Sequence, residues 1–237
     1  MTRMEEILEL LVEKYLDDWW LNDLKIVIKN EEDFLLDQLN IYSNALEVLD
    51  IESWVVIREK VVIAFKQNTK RRGKQQFFNL LNEVLAYEYL IEANYQSVTL
   101  LRENGIEKTP DIKFFKNETE CYCEVKTIGN SEEELDRTEN MESFNDSTYS
   151  KLGDGFFKKL SSTLDFAIDQ LYSDTPHNII YVIVKFDDFV GPYYETYKQQ
   201  VSEFLIAMYP NTQVLIRAGL ENRFIHHHML TAATQNQ

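Results

Sequence analysis

Asp111, Glu124 and Lys126 are the residues of this sequence whose types and spacing could do chemistry together. They fall in Thr109-Pro110-Asp111-Ile112-Lys113-Phe114-Phe115, then Lys116-Asn117-Glu118-Thr119, then Glu120-Cys121-Tyr122-Cys123-Glu124-Val125-Lys126-Thr127-Ile128. The two flanks alternate polar and apolar at period two around a turn-like middle, which is the pattern of a β-hairpin. With the turn centred on Asn117-Glu118, Asp111 is expected opposite Glu124. Directly opposed residues share a face with Cβ atoms about 5 Å apart. Lys126, two residues beyond Glu124, is expected on that same face. Ile112, Phe114, Cys121, Cys123 and Val125 fall on the other face, which reads as core. Two hard carboxylates can hold Mg²⁺ or Mn²⁺ against a phosphate, and a neighbouring ammonium can offset the charge that grows there. The chemistry implied is phosphodiester hydrolysis.

Elements must position these groups, and the flanking sequence supplies them. Residues 77–93 carry apolar side chains at helical spacing and include Glu83; residues 97–101 read as a short strand. After the hairpin, residues 155–172 place Leu160, Leu164, Ala167, Ile168 and Leu171 on one helical stripe. Residues 178–186 form a β-branched run of the kind found in a strand buried on both faces. Pro110-Asp111 followed by Glu124-Val125-Lys126 resembles the PD-(D/E)xK signature of restriction-endonuclease-like nucleases. The order helix, three-strand meander, helix, strand is similar to the core of that family, and the resemblance covers residues 75–190.

The resemblance implies an α/β fold with a restriction-endonuclease-like core, placed at residues 74–220; apolar spacing makes residues 1–73 an all-helical extension, and 221–237 are expected as a C-terminal tail. It implies a Mg²⁺-dependent (or Mn²⁺-dependent) endonuclease with Asp111, Glu124, Lys126 and Glu83 as catalytic residues. Asp111, Glu124, Glu83 and the carbonyl of Val125 would be metal ligands. Gln170, on the helix after the hairpin, would face the active site. The alternative is a catalytically silent module on the same fold that binds nucleic acid or a protein partner, since fold does not fix activity. An isolated acidic-x-Lys triplet is common; this sequence has others at Asp23-Leu24-Lys25 and Asp111-Ile112-Lys113.

Charge argues against a polyanion partner. Among 237 residues, 24 are basic and 40 acidic, for a net charge of −16, whereas nucleic-acid binders present a basic face. The basic residues are nevertheless concentrated. Lys70, Arg71, Arg72 and Lys74 (with Lys66) precede the helix that carries Glu83, and Lys158 and Lys159 open the second helix. These are the expected contacts to nucleic acid, with DNA as the expected substrate and a homodimer as the expected assembly. Residues 129–150 hold a run of acids against a lone Arg137; without periodicity they read as an acidic loop at the mouth of the site.

The remaining features are structural. Three amphipathic stripes, Ile7 to Trp20, Phe34 to Leu49 and Trp54 to Phe65, make residues 1–70 helical; they could cover the core or bind a protein partner. No apolar run approaches the ~20 residues of a membrane helix, and the first residues lack the pattern of a secretory signal. Cys121 and Cys123 are two apart on one strand, about 6.6 Å, too far for an unstrained disulfide. Two buried thiols and no leader point to the cytoplasm. His226-His227-His228 reads as part of a C-terminal strand or tail, because consecutive residues of a regular element cannot converge on one ion.

Overall fold

Capping side chains set the helix starts in the N-terminal part of the computed structural model. It describes residues 1–30, 33–66, 73–102, 108–140, 150–171, 175, 177–186, 190–220 and 223–227. The chain is mixed α/β, with eight helices among the described residues and six strands in one open sheet ordered β1-β2-β3-β4-β5-β6. It divides into two compact units, one of Met1–Gly105 with Asp111–Glu118 and one of Ile106–Pro110 with Thr119–Gln237. The division falls within the hairpin rather than at residue 73.

In the first unit, Thr2 and Glu5 form a capping box at the start of α1 (Arg3–Lys14), each side chain accepting from the other's amide. Met4, Ile7 and Leu11 make its buried stripe. The apolar series from Ile7 to Trp20, read from the sequence as one stripe, is cut by a turn. Asp18 accepts from the Trp20 amide at 3.0 Å and starts α2 (Trp19–Asn30), which leaves Leu16 74% exposed. α3 (Asp33–Val48) and α4 (Ile51–Ala64) follow, the latter capped by Asp50 through the Ser53 amide at 2.6 Å. α5 (Gln75–Glu92) packs on both; Tyr42 of α3 donates to Asn82 of α5 at 2.7 Å inside the core.

β1 (Gln96–Leu100) pairs antiparallel with β2 (Ile112–Lys116), matching Leu100 to Ile112. The register slips between Gln96 and Thr99, where Ser97 has φ 49°; a bulge accommodates that left-handed residue. After β2 the chain turns through Asn117 (φ 50°) and Glu118 (φ 63°). Two consecutive left-handed residues are the signature of the hairpin turn whose twist suits the flanking strands. Asparagine enters that conformation readily; glutamate does so at a cost of roughly 1 kcal/mol.

The second unit is a parallel sheet with helices on one face. β3 (Thr119–Ile128) runs parallel to β4 (Ile179–Val184), which runs parallel to β5 (Gln213–Ala218); β6 (Phe224–His227) closes the edge antiparallel to β5. All six residues of β4 are buried, as a continuous apolar run in a parallel sheet requires. Ile180 and Val182 of β4 and Val214 and Ile216 of β5 face Leu160, Leu164 and Ala167 of α7 (Asp154–Ile168) and Val201 and Leu205 of α8 (Val190–Met208). One expectation is revised here: residues 132–139, expected as loop, form α6 (Glu132–Glu139). Of the strand or tail expected around His226-His227, the strand forms, as β6, and the sheet extends to His227.

Candidate active site

Glu124 and Lys126 lie on β3 opposite Ile180 and Val182 of β4. Paired residues of parallel strands point to the same face, so both side chains share the face covered by α7. Glu124 is 1% exposed, and its Oε1 accepts from the Lys126 ammonium. That ammonium also donates to Gln170 Oε1 at 2.6 Å. Gln170 is placed by the way α7 ends. Leu160, Leu164 and Ala167 pin the helix to the sheet, and the Gln170 amide donates back to the Ala167 carbonyl at 3.1 Å in the turn beyond it. A strand residue, its neighbour two positions on, and a residue past the following helix thus converge on one ammonium.

The ammonium is held electrostatically on several sides. Its Nζ lies 5.1 Å from the centroid of Phe166, one turn before Gln170 on α7. The Lys108 ammonium approaches the same ring at 4.8 Å, and Phe166 remains 54% exposed. Cations over an aromatic face are attracted by its quadrupole. Neither Lys108 nor Phe166 was singled out by sequence reasoning. The signal for Phe166 is present in the sequence, however, because it is off the Leu160-Leu164-Ala167 stripe on a helix facing solvent. Lys185 follows β4; its amide donates to the Ile128 carbonyl at 2.8 Å, and burial pulls its ammonium below the ordinary lysine range.

The other expected residues are placed as follows. Asp111 belongs to the first unit, half-buried in the bend just before β2, with its carbonyl accepting from the Leu101 amide at 2.8 Å. Pro110 before it is buried. Glu83 lies on α5, 7% exposed, and pairs with Lys60 of α4 at 3.1 Å. Val125 is buried in β3, paired with Tyr181. Lys158 and Lys159 are exposed on the first turns of α7.

Lys74 requires a correction. It is 2% exposed, with its ammonium donating to Asp18 at 2.5 Å and to the Phe65 carbonyl at 3.1 Å, so it tethers α5 instead of facing a polyanion. Lys70, Arg71 and Arg72 lie outside the described residues. Cys121 and Cys123 are buried thiols, and that of Cys121 donates to the Thr119 carbonyl at 3.3 Å.

Among the described residues no group of three or more His, Cys, Asp or Glu side chains is disposed to hold a metal ion. No helix among them is long and apolar enough to cross a membrane. No protein-family profile matches the chain, and no curated protein or solved structure matches it either.

Proposed function

We propose that the chain is a metal-dependent nuclease that hydrolyses phosphodiester bonds of nucleic acid, with DNA as the expected substrate. The observation that carries this reading is the Lys126 ammonium, shared between Glu124 and Gln170 on the helix-covered face of the sheet. A lysine needed only to neutralise Glu124 has no use for a second acceptor brought from beyond α7. A lysine that must hold one orientation toward a phosphate does, since fixed charge at the reacting centre avoids reorganisation. Asp111 is taken as the second carboxylate on the sequence pattern alone, Pro110-Asp111 followed by Glu124-Val125-Lys126.

Mg²⁺ keeps most of its waters and is held through one or two carboxylates, so a cluster of three acids is not required. Asp111, Glu124 and the Val125 carbonyl would hold it, with Glu83 behind. When bound, it supplies positive charge against the phosphate and the departing alkoxide. Lys126 would steady the attacking water and the added negative charge of the phosphorane. A water oxygen forms the new bond to phosphorus as its proton passes to solvent, the bond to the departing sugar oxygen breaks, and that oxygen takes a proton from solvent to leave as the alcohol. Lys158 and Lys159, with Lys70, Arg71 and Arg72, would hold the flanking phosphates in an otherwise acidic chain.

The test is cleavage of supercoiled plasmid DNA and of single-stranded oligonucleotides in Mg²⁺ or Mn²⁺, for wild type, Asp111→Asn and Lys126→Ala. Metal-dependent cutting lost in both variants supports the reading. Cutting at the wild-type rate by Asp111→Asn removes Asp111 from the site. Binding without cutting under every condition leaves the catalytically silent module, for which the burial of Glu124 in an ion pair would then be the structural reason.

A further inference from the structure

We infer that Phe166 is a stacking platform for an unpaired base, so that the second unit engages single-stranded nucleic acid in preference to duplex. The inference rests on reading this site as one that handles nucleic acid, and it deepens that reading by naming the substrate class.

A phenylalanine on an amphipathic helix normally turns to the core. On α7 the core positions are Leu160, Leu164 and Ala167, and Phe166 is 54% exposed instead. The ring is flanked by two ammoniums, Lys108 at 4.8 Å and Lys126 at 5.1 Å from its centroid. An exposed aromatic ring with cations beside it is the combination by which single strands are held: a base displaces solvent or an ammonium to stack on the ring, and phosphates meet the charges. A duplex cannot use it, because its bases already stack on each other.

The helix extends the same row. Lys159, Thr163 and Phe166 recur at intervals of four and three, so they line one side of α7 next to its core stripe, and Gln170 follows in the turn beyond the helix. Lys159 is exposed and stands seven residues from Phe166, about 10 Å along the axis. Gln170, at the opposite end of the row, holds Lys126 at 2.6 Å. A base on Phe166 would therefore lie between a phosphate contact at Lys159 and the ammonium proposed to act in hydrolysis.

The experiment is fluorescence anisotropy with a labelled 20-nucleotide single-stranded DNA and the duplex of the same sequence, in EDTA so that nothing is cut. Wild type should favour the single strand. Phe166→Ala should weaken the single strand about ten-fold, equivalent to about 1.4 kcal/mol and within the range for one stacked base, and leave the duplex within about two-fold. Phe166→Leu, which keeps the apolar bulk, should lose as much, and Phe166→Trp should restore binding. Lys159→Ala should lower the salt slope on the single strand by about 0.7.

Equal losses on both substrates, unchanged binding by Phe166→Ala, or no binding by wild type would each overturn the inference. The two proposals fail separately. Phe166-dependent binding by a protein that never cuts sinks the nuclease and leaves the platform. Metal-dependent cutting that ignores Phe166 does the reverse.

Discussion

Lys126→Met should destabilise the protein more than Glu124→Gln, and the two effects should not add. Methionine keeps the stem over Phe166 but withdraws the cation from a carboxylate that is 1% exposed. Removing one member of a buried ion pair costs about 3–5 kcal/mol. The Lys126 side chain is 20% exposed, so some water already reaches the pair and the lower end, about 3 kcal/mol, applies. In Glu124→Gln the amide oxygen still accepts from Lys126, which keeps Gln170 at 2.6 Å. Exchanging a charged for a neutral hydrogen bond then costs about 1 kcal/mol. The double variant buries only neutral groups and should cost about 2 kcal/mol, half of what addition demands. The coupling of about 2 kcal/mol is within the range for residues in contact. Urea unfolding followed by circular dichroism reads all four proteins; in heat, Lys126→Met should melt about 6–12 °C lower for a chain of this size. Equal losses in the two single variants, or additivity within about 0.5 kcal/mol, would show that Glu124 is not held as a charge by Lys126. The case for an oriented ammonium would go with it.

Tyr209 offers a test of the packing of α7 on α8. Its hydroxyl meets Ser161 at 2.7 Å and Asp165 at 2.8 Å, so Tyr209→Phe should cost about 1 kcal/mol at pH 7. Burial, with Asp165 adding to it and the Ser161 bond opposing, raises the phenol above its ordinary value of 10.0. Above that value the unfolded chain gives up the proton that the folded chain keeps, so the tyrosine's contribution falls as pH rises. The stability gap between wild type and Tyr209→Phe should therefore narrow above pH 10, and a constant gap from pH 7 to 11 would refute the assignment. On the basic run, Arg71→Ala/Arg72→Ala should flatten the salt dependence of duplex binding by up to about two units of log–log slope. An unchanged slope would mean that the polyanion is held elsewhere.

Periodicity recovered the elements whose side chains obey one environment. The helices at 75–92 and 154–168, the turn at Asn117-Glu118 and the buried run Ile179–Val184 are each marked by spacing alone, because one face or both faces are uniformly apolar. It failed where a polar residue interrupts the pattern for a local reason. The first helix stops at Lys14 with Tyr15 as its cap and Asp18 starts the next, so the stripe from Ile7 to Trp20 hides a break. α6 is acidic on nearly every side and shows no apolar stripe to detect. At the site, strand alternation put Glu124 and Lys126 on one face, as their pairing with Ile180 and Val182 requires. Phe166 shows in the sequence only as an aromatic off the Leu160-Leu164-Ala167 stripe; its meeting with Lys108 and Lys126 spans separations that no local pattern encodes. Lys74 failed for the opposite reason. A lysine in a basic run reads as solvated, and only the fold shows that Asp18 and the Phe65 carbonyl enclose it.

The central strand carries a consequence for how the chain is made. Ile-Ile-Tyr-Val-Ile-Val has no charge, proline or glycine, and is six residues of strong β former; such a segment self-assembles into stacked fibrils when uncovered. Its two neighbours, β3 and β5, reach it only through crossovers that carry α7 and α8. Pairings so distant in sequence form slowly, so every newly synthesised copy passes through a period with that strand bare. A net charge of −16 then acts between molecules. Unfinished chains repel one another at range, and the time for intramolecular pairing is gained from colloidal repulsion. The acidity that weighs against a polyanion partner in the finished protein is what keeps its precursors apart.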